Sequence, residues 1–255
     1  MTGETEGPAV VFILGCRLDD IDAERANLRI LELAEGNGGA QVVTLGTEMV
    51  VHAQRDARFR AIVNASALSL CDTAGLLWVA RRRGAKLHER VAGVDLIEHL
   101  CAGAAQRHIP IYLFGGMEGV AAEAARRLQE RYEGLIVAGA RSGYFDESES
   151  PQIARAIRLS GAKLLLCGLG FPRQEYWLAA HLHETGCGAG IGVGGSLDVI
   201  GGRVQRAPVA WRRLRLEWLY RLVREPRRWR RQLALPAFVG LVACEALHLR
   251  RGLVS

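Results

Sequence analysis

The 255-residue sequence lacks the short motifs that mark several common enzyme classes. It has no glycine-rich loop ending in Gly-Lys-Ser/Thr, no Gly-x-Ser-x-Gly and no His-Glu-x-x-His, which argues against P-loop nucleotidases, α/β-hydrolases and zinc peptidases. The turns FGGMEG and GVGGSL do not have the Gly-x-Gly-x-x-Gly spacing, so a nicotinamide cofactor has little support. We therefore predict no cofactor.

The six cysteines form no Cys-x-x-Cys pair, and most of them stand inside apolar runs such as LSLCD and LLLCG. Isolated cysteines of this kind are typical of buried thiols in a reducing compartment, and not of a disulfide framework or a zinc site. The seven histidines form no ligand motif either. We predict no metal site.

Long uninterrupted apolar segments are also missing. A membrane-spanning helix needs about 20 apolar residues, whereas the longest candidate, LALPAFVGLVACEALHL, is interrupted by Pro236, Gly240 and Glu245. The first residues, MTGETEGP, are polar and acidic, which is not the pattern of a secretory signal. We expect neither a spanning helix nor a cleaved leader.

Positive charge is concentrated near the C-terminus. The net charge is +6, but residues 203–255 contain thirteen Arg against three Glu, so the first 202 residues are slightly acidic. The segment EWLYRLVREPRRWRRQ, residues 217–232, combines six arginines with two tryptophans and a tyrosine. Arginines beside aromatic rings suit a phosphate ligand, an anionic membrane surface or nucleic acid.

The first 202 residues alternate apolar runs of strand length with segments of helical spacing. This alternation predicts an α/β fold with a mostly parallel sheet that has helices on both faces. The predicted helices include one continuous helix through HAQRDARFRAIVNAS. The predicted strands are AVVFILG, QVVTLGT, ALSLCD, IPIYLFGG, GLIVAGA, AKLLLCGLG and GAGIGVGG.

From residue 203 onward, strand-like runs are rare and arginines are frequent. We therefore predict two domains: an α/β core over residues 1–202 and a basic helical appendage over residues 203–255. An amphipathic helix is predicted from Trp211 to Gln232, interrupted at Pro226. The apolar segment after it, residues 233–247, is suited to packing against lipid or against a second subunit.

Asp72 ends the apolar run ALSLC just before a turn and an apolar helix. A carboxylate at that point either caps the helix or acts as a general base on an attacking hydroxyl. Three glycine-rich turns, at 114–119, 168–175 and 192–195, expose backbone N–H groups of the kind that bind phosphate. Together they favour a nucleotide or phosphate ligand at the carboxyl edge of the sheet.

Taken in order, the motifs from about Val42 to Gln232 resemble those of the WecG/TagA/CpsF glycosyltransferases, glycosyltransferase family 26. The last two motifs of the series are the most specific. The matching stretches are VVTLGTE, CDTAGLLWVARRRG, ERVAGVDL, IYLFGGMEGVAAEAARRL, GYF, GLGFPRQEYW, GVGGSLDVIGGRVQRAP and EWLYRLVREPRRWRR.

The resemblance implies a bacterial enzyme, peripheral on the cytoplasmic face of the membrane, that moves a sugar from a UDP-sugar to a polyprenyl-diphosphate-linked sugar in surface polysaccharide synthesis. It also implies inversion at the anomeric carbon, no metal requirement, and a Rossmann-like core of the GT-E type with a C-terminal appendage that completes the site.

Carried over residue by residue, the resemblance makes Asp72 the catalytic base. It places Thr44 and Gln174 at the substrate, Tyr144 and Asp198 near the nucleoside. The appendage arginines that it assigns to the diphosphate are Arg221, Arg228 and Arg231. Because the sequence has no Asp-x-Asp pair at a strand end, arginines are the natural groups to neutralise a departing diphosphate.

Two positions depart from the family pattern. Gly46 replaces the usual Asn, which removes an amide that can hydrogen-bond a sugar, and Thr73 replaces the usual Gly beside the catalytic acid. These departures favour one alternative, a non-catalytic membrane-associated protein of the same fold that binds nucleotide sugars. A nucleic-acid-binding protein has less support, because the core is acidic and no known nucleic-acid-binding motif is present.

Overall fold

The computed structural model describes residues 8–91, 93–205 and 234–252, together with positions 208, 211 and 220. The predicted helix from Trp211 to Gln232 therefore lies almost entirely outside the described residues, as do Arg221, Arg228 and Arg231. The description that follows concerns the remaining chain, which contains all other predicted site residues.

The central feature is a six-stranded sheet in which all pairings are parallel, with the strand order β4-β3-β8-β7-β5-β6. The predicted α/β fold with a parallel sheet is thus confirmed. The six strands are β3 (Ala40–Leu45), β4 (Leu68–Cys71), β5 (Ile111–Gly115), β6 (Val137–Arg141), β7 (Leu164–Gly168) and β8 (Ala189–Gly192).

The first predicted strand does not join this sheet. AVVFILG forms β1 (Val10–Ile13), which turns at Leu14 and Gly15, both with positive φ, and pairs antiparallel with β2 (Cys16–Asp19). This hairpin covers the outer edge of β4. Buried Asp19 accepts the Ser69 N–H at 2.7 Å and pairs with Arg17 at 2.8 Å, so the edge strand presents fewer free backbone groups.

Helices connect the strands and lie on both sides of the sheet. The prediction of one continuous helix through HAQRDARFRAIVNAS is wrong, because one helix ends before residues 54–56 and another begins after them. The Asp56 carboxylate caps the second helix by accepting the Phe59 N–H. The helices are α1 (Ala23–Glu35), α2 (Thr47–Ala53), α3 (Ala57–Ala65), α4 (Ala74–Arg82), α5 (Gly93–Gln106), α6 (Val120–Arg131), α7 (Ser150–Leu159), α8 (Arg173–His181), α9 (Ser196–Ile200) and α10 (Ala234–Gly252).

Alternate residues of each strand enter different apolar cores, as the two-residue period of a strand requires. In β5, Ile111 and Leu113 pack with α1, α5, α6 and α9, whereas Tyr112 and Phe114 pack with α7 and α8 on the opposite face. A further core lies beneath α2, α3 and α4 and includes the β1–β2 hairpin. Burial on both faces explains why the strands read as continuous apolar runs.

Helix α10 packs on this last core. Its Phe238 is 1 % exposed and lies with Val242 against the core, while Glu245 forms an ion pair with Arg83 at the end of α4. Within the described residues, none of the helices is both long and apolar enough to cross a bilayer. Through Phe238 and Val242, one side of α10 packs on the α/β core.

We predict that Phe238→Ala lowers the free energy of unfolding by about 3 kcal/mol, because it leaves a cavity where a fully buried ring was. Urea denaturation measures this change. The neighbouring Val239→Ala is the matched control, since Val239 is 59 % exposed and the loss there is expected to stay within about 0.5 kcal/mol. Equal losses in the two variants would contradict the packing of α10 on the core.

Candidate active site at the carboxyl edge of the sheet

All six strands of the parallel sheet end at the same edge, so every strand-to-helix turn meets there. The predicted site residues of the described chain all lie at the end of a strand or in the segment that follows it. They are Thr44, Asp72, Tyr144, Gln174 and Asp198. Helix α2 follows β3 on one face and α9 follows the neighbouring β8 on the other. In open α/β sheets, ligands bind where the helices diverge in this way, and the space between the ends of β3 and β8 is called the crevice below.

Asp72 stands at the tip of β4 and is half-buried. Its backbone N–H donates to the carbonyl of Leu45 at 3.0 Å, which joins the tips of β3 and β4. The N-cap of α4 is Thr73, one residue later, and the Thr73 side chain makes no capping bond. Asp72 thus occupies the strand tip itself, beside the turn at Gly46.

The two departures from the family pattern lie against each other. A Cβ added at Gly46 would stand 3.5 Å from the Thr73 methyl and 4.0 Å from Cγ of Glu48, both ordinary contacts. The φ of Gly46 is −110°, which any residue adopts. The backbone therefore does not require glycine at position 46, and a Cβ there would fit against Thr73 and Glu48.

Thr44 and Gln174 meet at the tip of β8. The Thr44 hydroxyl donates to the carbonyl of Gly192 at 2.9 Å, and the Gln174 side-chain oxygen accepts the Gly194 N–H at 2.9 Å. A Cβ at position 192 would stand only 2.5 Å from Nε2 of Gln174, so glycine is needed for this close approach. Thr44 and Asp72 thus lie at the ends of the adjacent strands β3 and β4, whereas Gln174 lies on α8, which follows β7, and reaches the turn after β8.

Glu175 is a residue of this region that the sequence analysis did not assign, although it stands in the quoted motif GLGFPRQEYW. Its side chain is 1 % exposed, and its Oε1 accepts from Nε2 of Gln174 at 2.7 Å. Burial, reinforced by the nearby carboxylate of Glu48, raises the pKa of Glu175 to about 7. A carboxyl group at the edge of the crevice therefore holds its proton up to neutral pH.

Arg90 is a second residue that the sequence analysis left unassigned, within the motif ERVAGVDL. The Val91 N–H donates to the carbonyl of Cys71 at 2.7 Å, which brings this loop to the tip of β4. Burial raises the pKa of the Cys71 thiol to about 12; the charge of Asp72 adds to this effect and that of Arg90 opposes it. Arg90 and Asp72 therefore both interact electrostatically with the same thiol.

Tyr144 lies farther along the edge, where its side chain is 75 % exposed. It borders an open cavity of about 310 Å³ between the turns that follow β5 and β6. β5 is four strands from β4, a separation of about 19 Å at ~4.8 Å per strand. The cavity is lined by Glu118, Gly119, Ala121, Ala122, Ala140, Arg141, Ser142 and Tyr144.

Between Asp72 and this cavity, neighbouring turns approach each other closely at glycine residues. Gly115 has φ +149°, and a Cβ there would stand 2.4 Å from the carbonyl of Gly168. Asp198 is half-buried on α9, after β8, and its carbonyl accepts the Val204 N–H at 3.0 Å. Within the described residues, no three His, Cys, Asp or Glu side chains gather as ligands for a metal ion.

The described residues just before and just after residues 206–233 both lie near this edge of the sheet. Gln205 follows the turn held by Asp198, and Leu235 at the start of α10 lies 3.5 Å from the position of a Cβ on Gly75, in the first turn of α4. The described residues that precede and follow the segment with Arg221, Arg228 and Arg231 thus both lie near the candidate site.

We predict that Glu175→Gln changes the pH dependence of stability. The folded parent keeps a proton on Glu175 that the unfolded chain releases near its ordinary pKa of 4.5, so the parent loses stability as pH rises from 4.5 to 7. The difference between these pKa values corresponds to about 3 kcal/mol. Relative to the parent, the variant should therefore gain about 3 kcal/mol in free energy of unfolding between pH 4.5 and pH 8.

Urea denaturation across this pH range measures the gain. Leu159→Gln is the control, because it alters an exposed side chain and adds no ionisable group. A difference between Glu175→Gln and the parent that stays constant with pH would show that the carboxyl is not held protonated.

Comparison with known proteins identifies relatives over most of the chain. A sequence model of the Glycosyl transferase WecG/TagA/CpsF family matches residues 11–252. An N-acetylglucosaminyldiphosphoundecaprenol N-acetyl-beta-D-mannosaminyltransferase of Bacillus spizizenii is 33 % identical over 229 residues, 89 % of this chain and 88 % of that protein. A protein of the same name from Bacillus subtilis is 30 % identical over 207 residues, 81 % of this chain and 80 % of its own.

Proposed function

The chain belongs to the WecG/TagA/CpsF family of glycosyl transferases, and we propose that it transfers an N-acetylhexosamine from a UDP-sugar to a polyprenyl-diphosphate-linked N-acetylglucosamine. The names of the two Bacillus relatives support both the lipid-linked acceptor and the class of sugar transferred. The observation that carries the proposal is the position of Asp72, half-buried at a strand tip beside the crevice that Thr44 and Gln174 border.

The proposed reaction is a single displacement. The Asp72 carboxylate takes the proton of the acceptor hydroxyl as its oxygen attacks the anomeric carbon from the face opposite UDP. The bond between that carbon and the diphosphate oxygen breaks, and its electron pair leaves with UDP. Asp72 then releases the proton to water. One carboxylate is sufficient, and the configuration of the sugar is inverted.

The donor would lie along the carboxyl edge of the sheet. The open cavity beside Tyr144 offers an exposed aromatic ring and the guanidinium of Arg141, which suit a nucleoside and its phosphates. An extended nucleoside-diphosphate sugar has a length comparable with the separation between this cavity and Asp72. Asp198 and the glycine turns of β5, β7 and β8 lie between the two ends.

Negative charge that develops on the departing diphosphate needs cations close to it. Arg221, Arg228 and Arg231 are the proposed groups, and the positions of Val204 and Leu235, on either side of their segment, support this proposal. Arg90 stands near Asp72 and is a further candidate. The C-terminal residues 203–255 would in this way complete the active site.

We predict that Asp72→Asn lowers kcat by at least about 100-fold, because the amide cannot accept the proton of the acceptor hydroxyl. The assay offers a panel of UDP-sugars, including UDP-N-acetylmannosamine, together with a short-chain prenyl-diphosphate N-acetylglucosamine, and products are identified by mass. Glu184→Gln, an exposed carboxylate in the turn before β8 at the opposite edge of the sheet, serves as the control.

Unchanged turnover in Asp72→Asn would remove Asp72 as the base. If the parent binds UDP-sugars but forms no product with any donor of the panel, the transferase proposal fails and a non-catalytic binding role replaces it.

A lipid-linked acceptor requires the enzyme to work at a membrane surface, and we propose the outer side of α10 as part of the contact. Leu235, Val239 and Leu247 are 42–61 % exposed there, and Glu245 is the only charged residue between Ala234 and Leu247. On neighbouring α4, the Arg82 guanidinium lies 4.2 Å above the ring of exposed Trp78. Apolar, aromatic and cationic groups together favour an anionic lipid surface on the cytoplasmic side.

We predict that the double variant Val239→Glu/Leu247→Glu lowers binding to vesicles containing phosphatidylglycerol by at least about tenfold, because carboxylates do not enter an anionic interface. Vesicle flotation measures the bound fraction. The matched control is Leu28→Glu/Leu159→Glu, which places the same charges on exposed leucines of α1 and α7. Equal binding of the two double variants would exclude α10 as the contact, and dimerisation of the parent through this side is then tested by light scattering.

A further inference from the structure

The proposed reaction makes no use of Glu175, although this residue is one of the few buried carboxyl groups in the described chain. Its side chain is 1 % exposed, and its second oxygen, Oε2, has no hydrogen-bond partner among the described residues. Leaving a buried polar atom unpaired costs stability. A carboxyl group kept at this cost is expected to have a role, and the hydrogen bond of its other oxygen indicates which.

That other oxygen, Oε1, bonds to one end of the Gln174 amide. Nε2 of Gln174 donates to Oε1 of Glu175 at 2.7 Å, and Oε1 of Gln174 accepts the Gly194 N–H at 2.9 Å. Rotating the amide by 180° would direct its NH₂ group at the Gly194 N–H, which cannot accept a hydrogen bond. Both ends of the amide are therefore held in one orientation, and one N–H and one lone pair remain for a ligand.

The surroundings hold Glu175 at this place. The Gln41 side chain donates to the Glu175 carbonyl at 3.1 Å, and a Cβ on Gly192 would stand 3.1 Å from Oε1 of Glu175. The titratable side chains that interact electrostatically with it are Glu48 on α2, Cys167 on β7 and Tyr176 on α8. Among the described residues, the Gln174 amide is the side-chain hydrogen-bond partner of the Glu175 carboxyl.

We propose that Glu175 is a positioning residue that fixes the orientation of the Gln174 amide, and that this amide presents its remaining N–H to the sugar donor. The proposal rests on the proposed function only in its last clause, because the contact with the donor requires that the protein bind a UDP-sugar. Glu175 itself does not touch the substrate.

A double-mutant cycle in the transferase assay tests the proposal. Glu175→Leu removes the acceptor, and kcat/KM is expected to fall by about tenfold through a higher KM for the donor, with an unchanged KM for the acceptor. Glu175→Gln keeps an acceptor and should recover most of that loss. In a Gln174→Ala background, Glu175→Leu should have no further effect, since there is no amide left to orient. Thr185→Val, which removes a buried hydroxyl at the opposite edge, controls for general loss of stability.

The proposal is overturned if Glu175→Leu has the kinetics of the parent, if Glu175→Gln loses as much as Glu175→Leu, or if the losses of Glu175→Leu and Gln174→Ala multiply. An equal loss in Thr185→Val would likewise assign the effect to stability alone.

A second measurement does not depend on catalysis and separates failure of this proposal from failure of the proposed function. In ¹⁵N NMR spectra of the parent, the Gln174 side-chain NH₂ resonances should shift as Glu175 titrates near pH 7, and Glu175→Gln should abolish that shift. Such a result supports the positioning role even if no donor is turned over or if Glu175→Leu does not fold. The positioning role is overturned if the Gln174 NH₂ resonances change neither with pH nor on the substitution.

Discussion

Parallel alignment of strands that are buried on both faces is the constraint from which the candidate site follows. It brings all six carboxyl ends to one edge and requires a helix connection after each strand, so the turns crowd together where two helical layers diverge. Glycine allows this crowding, since a side chain at Gly115 or Gly192 would collide with the neighbouring turn or with Gln174. Backbone groups and short polar side chains can then approach a ligand closely.

Crowding at this edge removes polar groups from water, which costs free energy unless they form hydrogen bonds within the protein. Turns packed away from water leave polar groups that must find partners within the protein. Thr44 and Gln174 satisfy the backbone of β8, and Glu175 in turn binds Gln174. Two acidic residues of the region, Asp72 and Glu175, consequently have different environments: Asp72 is half-buried at the crevice, whereas Glu175 is enclosed and keeps its proton up to about pH 7. Their different exposure fits one for proton transfer and the other for orientation.

Helix α10 links the C-terminal region to the same edge. Phe238 is buried in the core beneath α2 and α4, and the ion pair between Glu245 and Arg83 holds the middle of the helix beside the end of α4. Apolar side chains on the other side of α10 remain exposed. One helix thus follows the basic segment in the chain and also offers an apolar surface, a combination that suits the proposed transfer from a soluble donor to a lipid-linked acceptor.

The sequence by itself determined the six parallel strands, most helices, and the strand ends and following segments that carry Thr44, Asp72, Gln174 and Asp198. Continuous apolar runs that end in glycine or a polar residue are a local signal. Local pattern did not distinguish a strand of the main sheet from the first strand of a hairpin, since β1 is equally apolar and only its pairing with β2 sets it apart. It also did not single out Glu175, whose neighbour in sequence was assigned. Burial of that carboxyl, and its bond to the Gln174 amide, depend on β8 passing beneath the start of α8, and the separation of Tyr144 from Asp72 depends on strand order. These features arise from contacts between segments far apart in sequence, which only the tertiary structure decides.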